Sequence, residues 1–134
     1  MTIINIFYLT CKRFQQINCI NLDTLILSYT NIINIIPLTN CVNLKFLDLQ
    51  YTNIINIYPL RNCKSLEYLD LTETNVTNLN PLMKLDKLTC LNLNKTSYLN
   101  LFFLPISIKK LYLDDTRHID FVSVGRLINL EICS

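Results

Sequence analysis

Apolar residues recur along this chain at regular intervals. Each unit opens with the spacing Leu-x-x-Leu-x-Leu and continues with Thr, aliphatic residues and, in the first three units, a Pro-Leu step. The units begin at Leu22, Leu44, Leu66, Leu88, Ile108 and Leu130, so every step has the same length except the shorter one from Leu88 to Ile108. Repetition at such a period indicates stacked structural units that share one continuous core.

The spacing within a unit predicts one short strand followed by a return segment. The last two leucines of each Leu-x-x-Leu-x-Leu are two residues apart, so they point to the same side of a strand. One strand cannot bury that side alone, and the strands of successive units are therefore expected to pair into a parallel sheet. Pro37, Pro59 and Pro81 lack an N–H and fix φ, so they are expected to end the extended pairing. A 22-residue unit then leaves room for one or two helical turns.

The repeated pattern resembles the leucine-rich repeat family over residues 22–132. The units that end in an Ile-x-Pro-Leu step, such as residues 35–38, are similar to the 22-residue internalin-like type. This resemblance implies an α/β fold: a right-handed solenoid with a concave parallel β-sheet and short helical, 3-10 or extended convex segments. The composition, with 25 Leu, 18 Ile and 17 Asn, also resembles the leucine-rich-repeat proteins of AT-rich large DNA viruses such as insect poxviruses. Other AT-rich genomes, bacterial or protozoan, would bias the composition in the same way.

Two departures from the family pattern change the expected structure. Where most leucine-rich repeats carry Asn, this chain has a column of threonines, which we interpret as a ladder of buried hydroxyl groups: Thr30, Thr52, Thr74, Thr96 and Thr116. The 20-residue step contains residues 104–111, which resemble the joint of shorter repeats. We expect a locally extended return segment and a change of curvature there.

The repeat boundaries predict the domain organisation. Residues 1–21 are expected to form an N-terminal half-repeat and capping helix, and residues 22–134 five repeats plus the first strand of a sixth. Residues 3–7 are similar to residues 54–58, and residues 7–18 place Phe and Ile near helical spacing. The sequence stops one strand into the sixth unit, which predicts an uncapped edge strand able to pair with another chain.

Composition and charge exclude several classes of protein. The chain is 51% hydrophobic and carries a net charge of +2, which is incompatible with intrinsic disorder. Twelve basic residues against ten acidic ones do not form the basic footprint of a nucleic-acid-binding protein. The longest apolar run, Leu101 to Ile106, is too short to span a membrane, and no Lys or Arg precedes the N-terminal apolar residues as in a signal peptide. We therefore expect a cytoplasmic protein, in the host cytoplasm if it is viral.

The six cysteines follow the repeat. Cys19, Cys41 and Cys63 recur at the period of the repeat, and no Cys-x-x-Cys pair suggests zinc or a redox motif. This spacing favours one column of buried free thiols in a reducing compartment. A disulfide or a reactive thiol is the alternative.

Residue types suited to catalysis are scarce. His118 is the single histidine, and it stands where the first three units have Ile or Val, which favours a half-buried ring at the edge of the core. A base paired with Cys133, or a metal site shared with Asp114, Asp115 or Asp120, is the generic alternative. The single glycine, Gly125, excludes a phosphate-cradling loop. We predict no enzyme, no metal site and no cofactor.

The predicted concave face carries the candidate binding site. Strand positions between the leucines project to this face, and equivalent positions of neighbouring strands lie about 4.8 Å apart. Aromatic rings therefore gather over the first three strands, rimmed by carboxylates, which is typical of protein interfaces. The candidate partner-binding residues are Tyr29, Phe46, Asp48, Tyr51, Tyr68, Asp70 and Tyr112. The alternative is that the rings simply cover the sheet, because tyrosine suits strands.

Two functions from different classes fit this surface. The favoured one is a non-enzymatic module that binds a protein partner on its concave sheet, and in a viral or pathogen protein this partner would be a host cytosolic protein. The alternative is a self-assembling structural protein that forms homo-oligomers through its C-terminal edge strand. The lysines Lys95, Lys109 and Lys110 are mixed with aspartates, so we interpret them as a solvated face and expect neither nucleic-acid nor membrane binding.

Overall fold

Within the described part of the chain, seven short parallel strands form one sheet in the order of the sequence. The computed structural model describes residues 3–5, 17, 19–97, 99–117 and 121–132. The strands are β1 (Ile3–Asn5), β2 (Thr24–Ile26), β3 (Phe46–Asp48), β4 (Tyr68–Asp70), β5 (Cys90–Asn92), β6 (Lys110–Tyr112) and β7 (Glu131–Ile132). Each strand pairs with the next at equivalent positions of the repeat, and Phe46, for example, lies opposite Tyr68. The predicted leucine-rich-repeat solenoid is the observed architecture.

The core follows from the leucine spacing. The middle residues of β2–β5, including Leu47 and Leu69, are fully buried, and the leucine two positions after each is buried as well. Alternating strand residues, such as Phe46 and Asp48, point away from this core. The sheet thus has an inner face that packs on the core and an outer face that carries the polar and aromatic side chains.

Short helical turns form the return segments on the far side of the core. Those of the 3-10 type are η1 (Ile36–Asn40), η2 (Tyr58–Asn62), η3 (Asn80–Leu82) and η4 (Leu101–Phe103). A four-residue α-helix, α1 (Phe121–Val124), follows them. Proline occupies the first or second position of η1, η2 and η3, as its fixed φ and missing N–H predict. In the 20-residue unit the return segment still contains the 3-10 turn η4, and the chain becomes extended at Leu104, immediately after it. The change of curvature at this unit stays a prediction.

The N-terminal register differs from the one predicted. The sequence matches residues 3–7 to residues 54–58, in the second half of a repeat, whereas Ile3–Asn5 is a strand that pairs in register with Thr24–Ile26. Apolar β-branched residues suit either position, and pairing in the sheet decides between them. The predicted capping helix over residues 7–18 lies outside the described residues except for Ile17.

The threonine column is buried, as predicted, in its three middle members, whereas its first and last members, Thr30 and Thr116, are half-buried. In the first four units the hydroxyl donates to the carbonyl three residues earlier, as Thr52 does to Leu49 at 2.6 Å and Thr74 does to Leu71 at 2.7 Å. Thr116 instead donates to the Leu93 carbonyl of the preceding repeat at 2.7 Å. The hydroxyls therefore hold the turn that follows each strand.

The interpretation of the cysteine column as free thiols is wrong for its first two members. Cys19 and Cys41 form a disulfide whose Cα atoms lie 4.5 Å apart. Stacking brings equivalent positions of neighbouring repeats within the Cα distance that a disulfide requires. Cys63, the next member, is a buried thiol that donates to the Leu38 carbonyl at 3.5 Å. Burial raises the pKa of this thiol to about 11.

Candidate protein-binding surface

The outer face of the sheet brings equivalent positions of successive repeats into columns. The third position of each unit gives one column, the fifth gives another, and the eighth lies in the turn after the strand. Parallel pairing in register places Phe46 beside Tyr68 and Asp48 beside Asp70. Five of the seven predicted binding residues lie on β3 and β4 or in the turn after β3, and Tyr29 lies in the turn after β2.

Two aromatic stacks lie on this face. The rings of Phe46 and Tyr68 are parallel, with centroids 4.3 Å apart and an interplanar angle of 1°. The rings of Tyr29 and Tyr51 stack with centroids 4.5 Å apart at 12°. Both contacts join neighbouring repeats, so the spacing of the solenoid sets the ring separation. Tyr29 stays 65% exposed, which leaves its ring available to a partner.

The carboxylates between the stacks cap the turns that follow their strands. Asp48 accepts the backbone N–H of Gln50 at 3.0 Å, and Asp70 accepts that of Thr72 at 2.8 Å. Asn92 makes the same contact with the N–H of Asn94 at 3.0 Å. An oxygen acceptor at this position satisfies a backbone donor in these three turns, and an amide serves as well as a carboxylate.

Asp70 is held inside the surface and does not project from it. Its side chain is only 5% exposed, and its Oδ2 accepts bonds from the Tyr68 hydroxyl and the Asn92 amide, each at 3.1 Å. Burial and the adjacent Asp70 carboxylate raise the pKa of Tyr68, so its hydroxyl remains a donor. Asp70 therefore orients the Tyr68 ring. It would influence a bound partner through the position of that ring and not by direct contact.

The turn after each strand contains a left-handed residue. Five non-glycine residues among those described have φ between 53° and 57°: Tyr29, Tyr51, Glu73, Lys95 and Asp115. This conformation costs an L-residue roughly 1–2 kcal/mol. In four of the five turns the N–H of this residue donates to the next repeat, as the Tyr51 N–H does to the Thr72 carbonyl at 2.9 Å, and this bond holds the strained backbone.

Charged side chains continue the tyrosine column. Lys95 Nζ lies 3.4 Å from Glu73 Oε2 and 6.0 Å from the centroid of the Tyr51 ring. The hydrogen bond with Glu73 raises the pKa of Lys95, so the ammonium is charged at neutral pH. A cation at this distance from a tyrosine ring is attracted to the ring face.

Tyr112 belongs to the same face but not to the double stack. It lies on β6, two strands beyond Tyr68, in the column that contains Asp48 and Asp70. The structure thus brings together six of the seven predicted residues. Their role in binding a partner stays a prediction, and His118 lies outside the described residues.

Sequence reasoning overlooked two sets of residues. The first is a column of asparagines that accept the N–H two residues later and open η1–η4: Asn34, Asn56, Asn78 and Asn100. Their recurrence at the period of the repeat was the available signal. The second set is the left-handed residues, which residue type does not mark in the first four turns because Tyr, Glu and Lys do not favour this conformation.

A cavity of about 500 Å³ lies on the return side, away from the aromatic stacks, and its lining includes Tyr58, Arg61, Lys64 and Lys84. Two of its cations are engaged within the chain: Arg61 contacts Tyr58, and Lys64 Nζ donates to the Lys84 carbonyl at 2.9 Å. Within the described residues, no cluster of three metal-binding side chains occurs, and no helix is long and apolar enough to cross a membrane.

The comparisons with known proteins place the chain among leucine-rich-repeat structures. No family model and no curated protein matches its sequence. Two solved internalins of Listeria monocytogenes are similar: InlF, with a TM-score of 0.74 and 25% identity over 83% of this chain, and InlC2, with 0.65 and 26% over 89%. The functional domain of InlJ from the same organism, which includes a cysteine ladder, has a TM-score of 0.53 and 20% identity over 92% of this chain. This chain spans 34%, 62% and 28% of those three proteins.

Proposed function

We propose that this chain is a non-enzymatic module that binds a protein partner on the outer, concave face of its sheet. The observation that carries the proposal is the pair of aromatic stacks, Phe46 on Tyr68 and Tyr29 on Tyr51. These aromatic side chains have few rotatable bonds, are fixed on a sheet and are surrounded by polar groups. Side chains of this kind contribute most of the binding free energy at protein interfaces.

The size of the face suits this role. Seven strands at about 4.8 Å spacing extend over roughly 30 Å. A face of this length accommodates a standard interface of about 800 Å² per partner. The similarity to InlF and InlC2 supports a protein-interaction module in general. The binding face and the partner belong to the proposal.

The source and location also belong to the proposal. If the chain is a viral or pathogen factor, as its composition suggests, we expect the partner to be a host cytosolic protein. The Cys19–Cys41 disulfide is the observation against a cytoplasmic location, because disulfides are rare in the cytosol.

Self-assembly through β7 is the alternative function. One edge of β7 pairs with β6, and its other edge pairs with no strand among the described residues. In this alternative, that edge offers its backbone donors and acceptors to a second chain. A mass that rises with protein concentration would favour this function over binding of a different protein.

The test is capture of a partner from eukaryotic cytosol. Wild-type protein is compared with a Phe46→Ala/Tyr68→Ala variant, after thermal melts have shown that both are folded. The matched control is Ile33→Ala/Ile55→Ala, which removes exposed apolar side chains from the return segments. We expect a protein that wild type and control capture and the aromatic variant loses. Equal capture by all three would exclude the aromatic stacks as the binding site.

A further inference from the structure

Charge is segregated along the outer face. The strands and turns of the first three full repeats, residues 23–29, 45–51 and 67–73, contain five carboxylates and one lysine, a net charge of −4. The whole chain has a net charge of +2, so the remaining residues carry +6. The aromatic stacks therefore lie in the acidic part of a protein that is otherwise basic.

The two stacks flank the column that contains Asp48. Phe46 precedes Asp48 on β3 and stacks on Tyr68, whereas Tyr51 follows it in the turn and stacks on Tyr29. We define this surface, Tyr29, Phe46, Asp48, Tyr51 and Tyr68, as the aromatic trough. The rings of each stack face one another, so the ring faces that stay free lie at the ends of the stacks. Aromatic faces carry partial negative charge, so these free faces and the Asp48 carboxylate attract the same kind of group.

Asp48 is the carboxylate of the trough that retains capacity for a ligand. It is half-buried, and Gln50 donates to both of its oxygens: the N–H to Oδ1 at 3.0 Å and the Nε2 amide to Oδ2 at 3.1 Å. A carboxylate has about four acceptor sites, so capacity remains. Asp70, in contrast, is buried and accepts three bonds from the chain itself.

We infer that the aromatic trough binds a cationic side chain of the protein partner, with arginine favoured over lysine. The inference rests on the proposed function and adds the chemistry of the partner. A guanidinium is planar, so it can stack on a ring and donate to the Asp48 carboxylate at the same time. The chain already provides one contact between a cation and this surface, since Lys95 Nζ lies 6.0 Å from the Tyr51 centroid.

The test uses a capped eight-residue peptide of alternating arginine and glycine, titrated into the full chain and followed by ring-proton NMR and calorimetry. We expect saturable binding that weakens as the salt concentration is raised. A peptide with citrulline in place of arginine keeps the shape and loses the charge, and it should bind at least about tenfold more weakly, as expected when a charged contact is lost.

Asp48→Asn supplies the matched variant. Asparagine already occupies the equivalent position at Asn92 and caps its turn, so the substitution removes charge and keeps the fold. We expect about tenfold weaker binding of the arginine peptide. Asp115→Asn, an exposed carboxylate in the turn after β6, is the control and should leave binding unchanged.

The outcomes separate this inference from the proposed function. The inference of a cationic ligand is overturned if the arginine peptide does not bind. It is also overturned if the citrulline peptide binds as tightly as the arginine peptide, or if the Asp48→Asn variant binds the arginine peptide as tightly as wild type does. If the captured partner is lost with Phe46→Ala/Tyr68→Ala but retained with Asp48→Asn, the binding face stands and the cationic inference fails. A mass that rises with concentration and falls in Asp48→Asn would identify a second copy of the chain as the source of the cation.

Discussion

At the scale of the residue, two threonines in one turn show how differently a buried hydroxyl can contribute to stability. Thr74 is 6% exposed, and its hydroxyl donates to the Leu71 carbonyl at 2.7 Å. Thr72 is 9% exposed, and its hydroxyl has no hydrogen-bond partner among the described residues. A buried polar group without a partner costs free energy, whereas one that is hydrogen-bonded stabilises the fold.

The same substitution should therefore act in opposite directions at these two positions. Thr72→Val should raise the free energy of unfolding by about 1 kcal/mol, and Thr74→Val should lower it by about 1 kcal/mol. Valine has nearly the shape of threonine, so each substitution changes the hydroxyl and little else. Urea denaturation of both variants beside wild type measures the two changes. A loss of stability in both variants would mean that the Thr72 hydroxyl is satisfied in solution.

At the scale of the element, the turn after each strand is where the chain differs most from what its sequence suggests. The left-handed backbone at Glu73 is held by the bond from its N–H to the Asn94 carbonyl at 3.0 Å. Glycine adopts this backbone without steric cost, and other residues do not. Yet the five left-handed positions contain tyrosine, glutamate, lysine and aspartate, and two of these side chains form a stack. The turns thus accept strain while presenting large side chains on the outer face.

Glu73 provides the measurement of this strain. Alanine and glycine at position 73 both remove the ion pair with Lys95, so their difference reports on the backbone alone. We expect Glu73→Gly to be more stable than Glu73→Ala by about 1 kcal/mol, the reverse of the usual order in helices and strands. Thermal and urea unfolding of the two variants give the value. An alanine variant that is more stable by the usual amount of roughly 0.5–1 kcal/mol would show that the turn carries no left-handed strain.

The parts of the element that were predictable are those governed by repetition and burial. The leucine spacing predicts the buried middle of each strand. Pro37 marks the start of a return segment because its fixed φ and missing N–H act on the backbone at that residue, whatever the rest of the fold. The burial of Asp70 was not predictable, since its bonds to Tyr68 and Asn92 come from its own strand and from the next repeat. The sequence alone places residues 3–5 in the wrong half of a repeat because an isolated apolar run fits either half.

At the scale of the whole molecule, stacking is the source of stability, and contacts join each repeat only to its neighbours. Strand pairs and return segments in contact belong to consecutive units throughout the described residues. In a solenoid of this kind, stability is approximately a sum over units and their interfaces. A covalent link between two adjacent units at the N-terminal end therefore stabilises the interface between them and raises the free energy of unfolding of the whole chain.

The Cys19–Cys41 disulfide is that link, and its loss should be measurable. The bond joins positions separated by 22 in the sequence, and a loop of this length corresponds to about 3 kcal/mol in the chain-entropy argument. Reduction should therefore lower the free energy of unfolding by roughly that amount. A Cys19→Ser/Cys41→Ser variant should be less stable than oxidised wild type and insensitive to reductant.

Cys63 should stay unlabelled by iodoacetamide at pH 8 in the folded chain, because burial raises its pKa to about 11 and leaves little thiolate.

The same bond bears on where the protein acts. If reductant leaves the stability of wild type unchanged, Cys19 and Cys41 are free thiols in solution, and a reducing cytosol is compatible with the fold. If reductant lowers stability as expected, cells that express the chain can be alkylated before lysis, so that mass spectrometry reports the redox state of Cys19 and Cys41 in place. If the pair is oxidised, the protein acts in an oxidising compartment, or an oxidant maintains the disulfide against the reducing cytosol. A reduced pair would mean that the protein works there with a weaker N-terminal interface. In both cases the aromatic trough begins at Tyr29, in the turn after β2, which is the second strand of the sheet. Loss of the disulfide should therefore increase the mobility of Tyr29 more than that of Tyr68, which lies further from the bond.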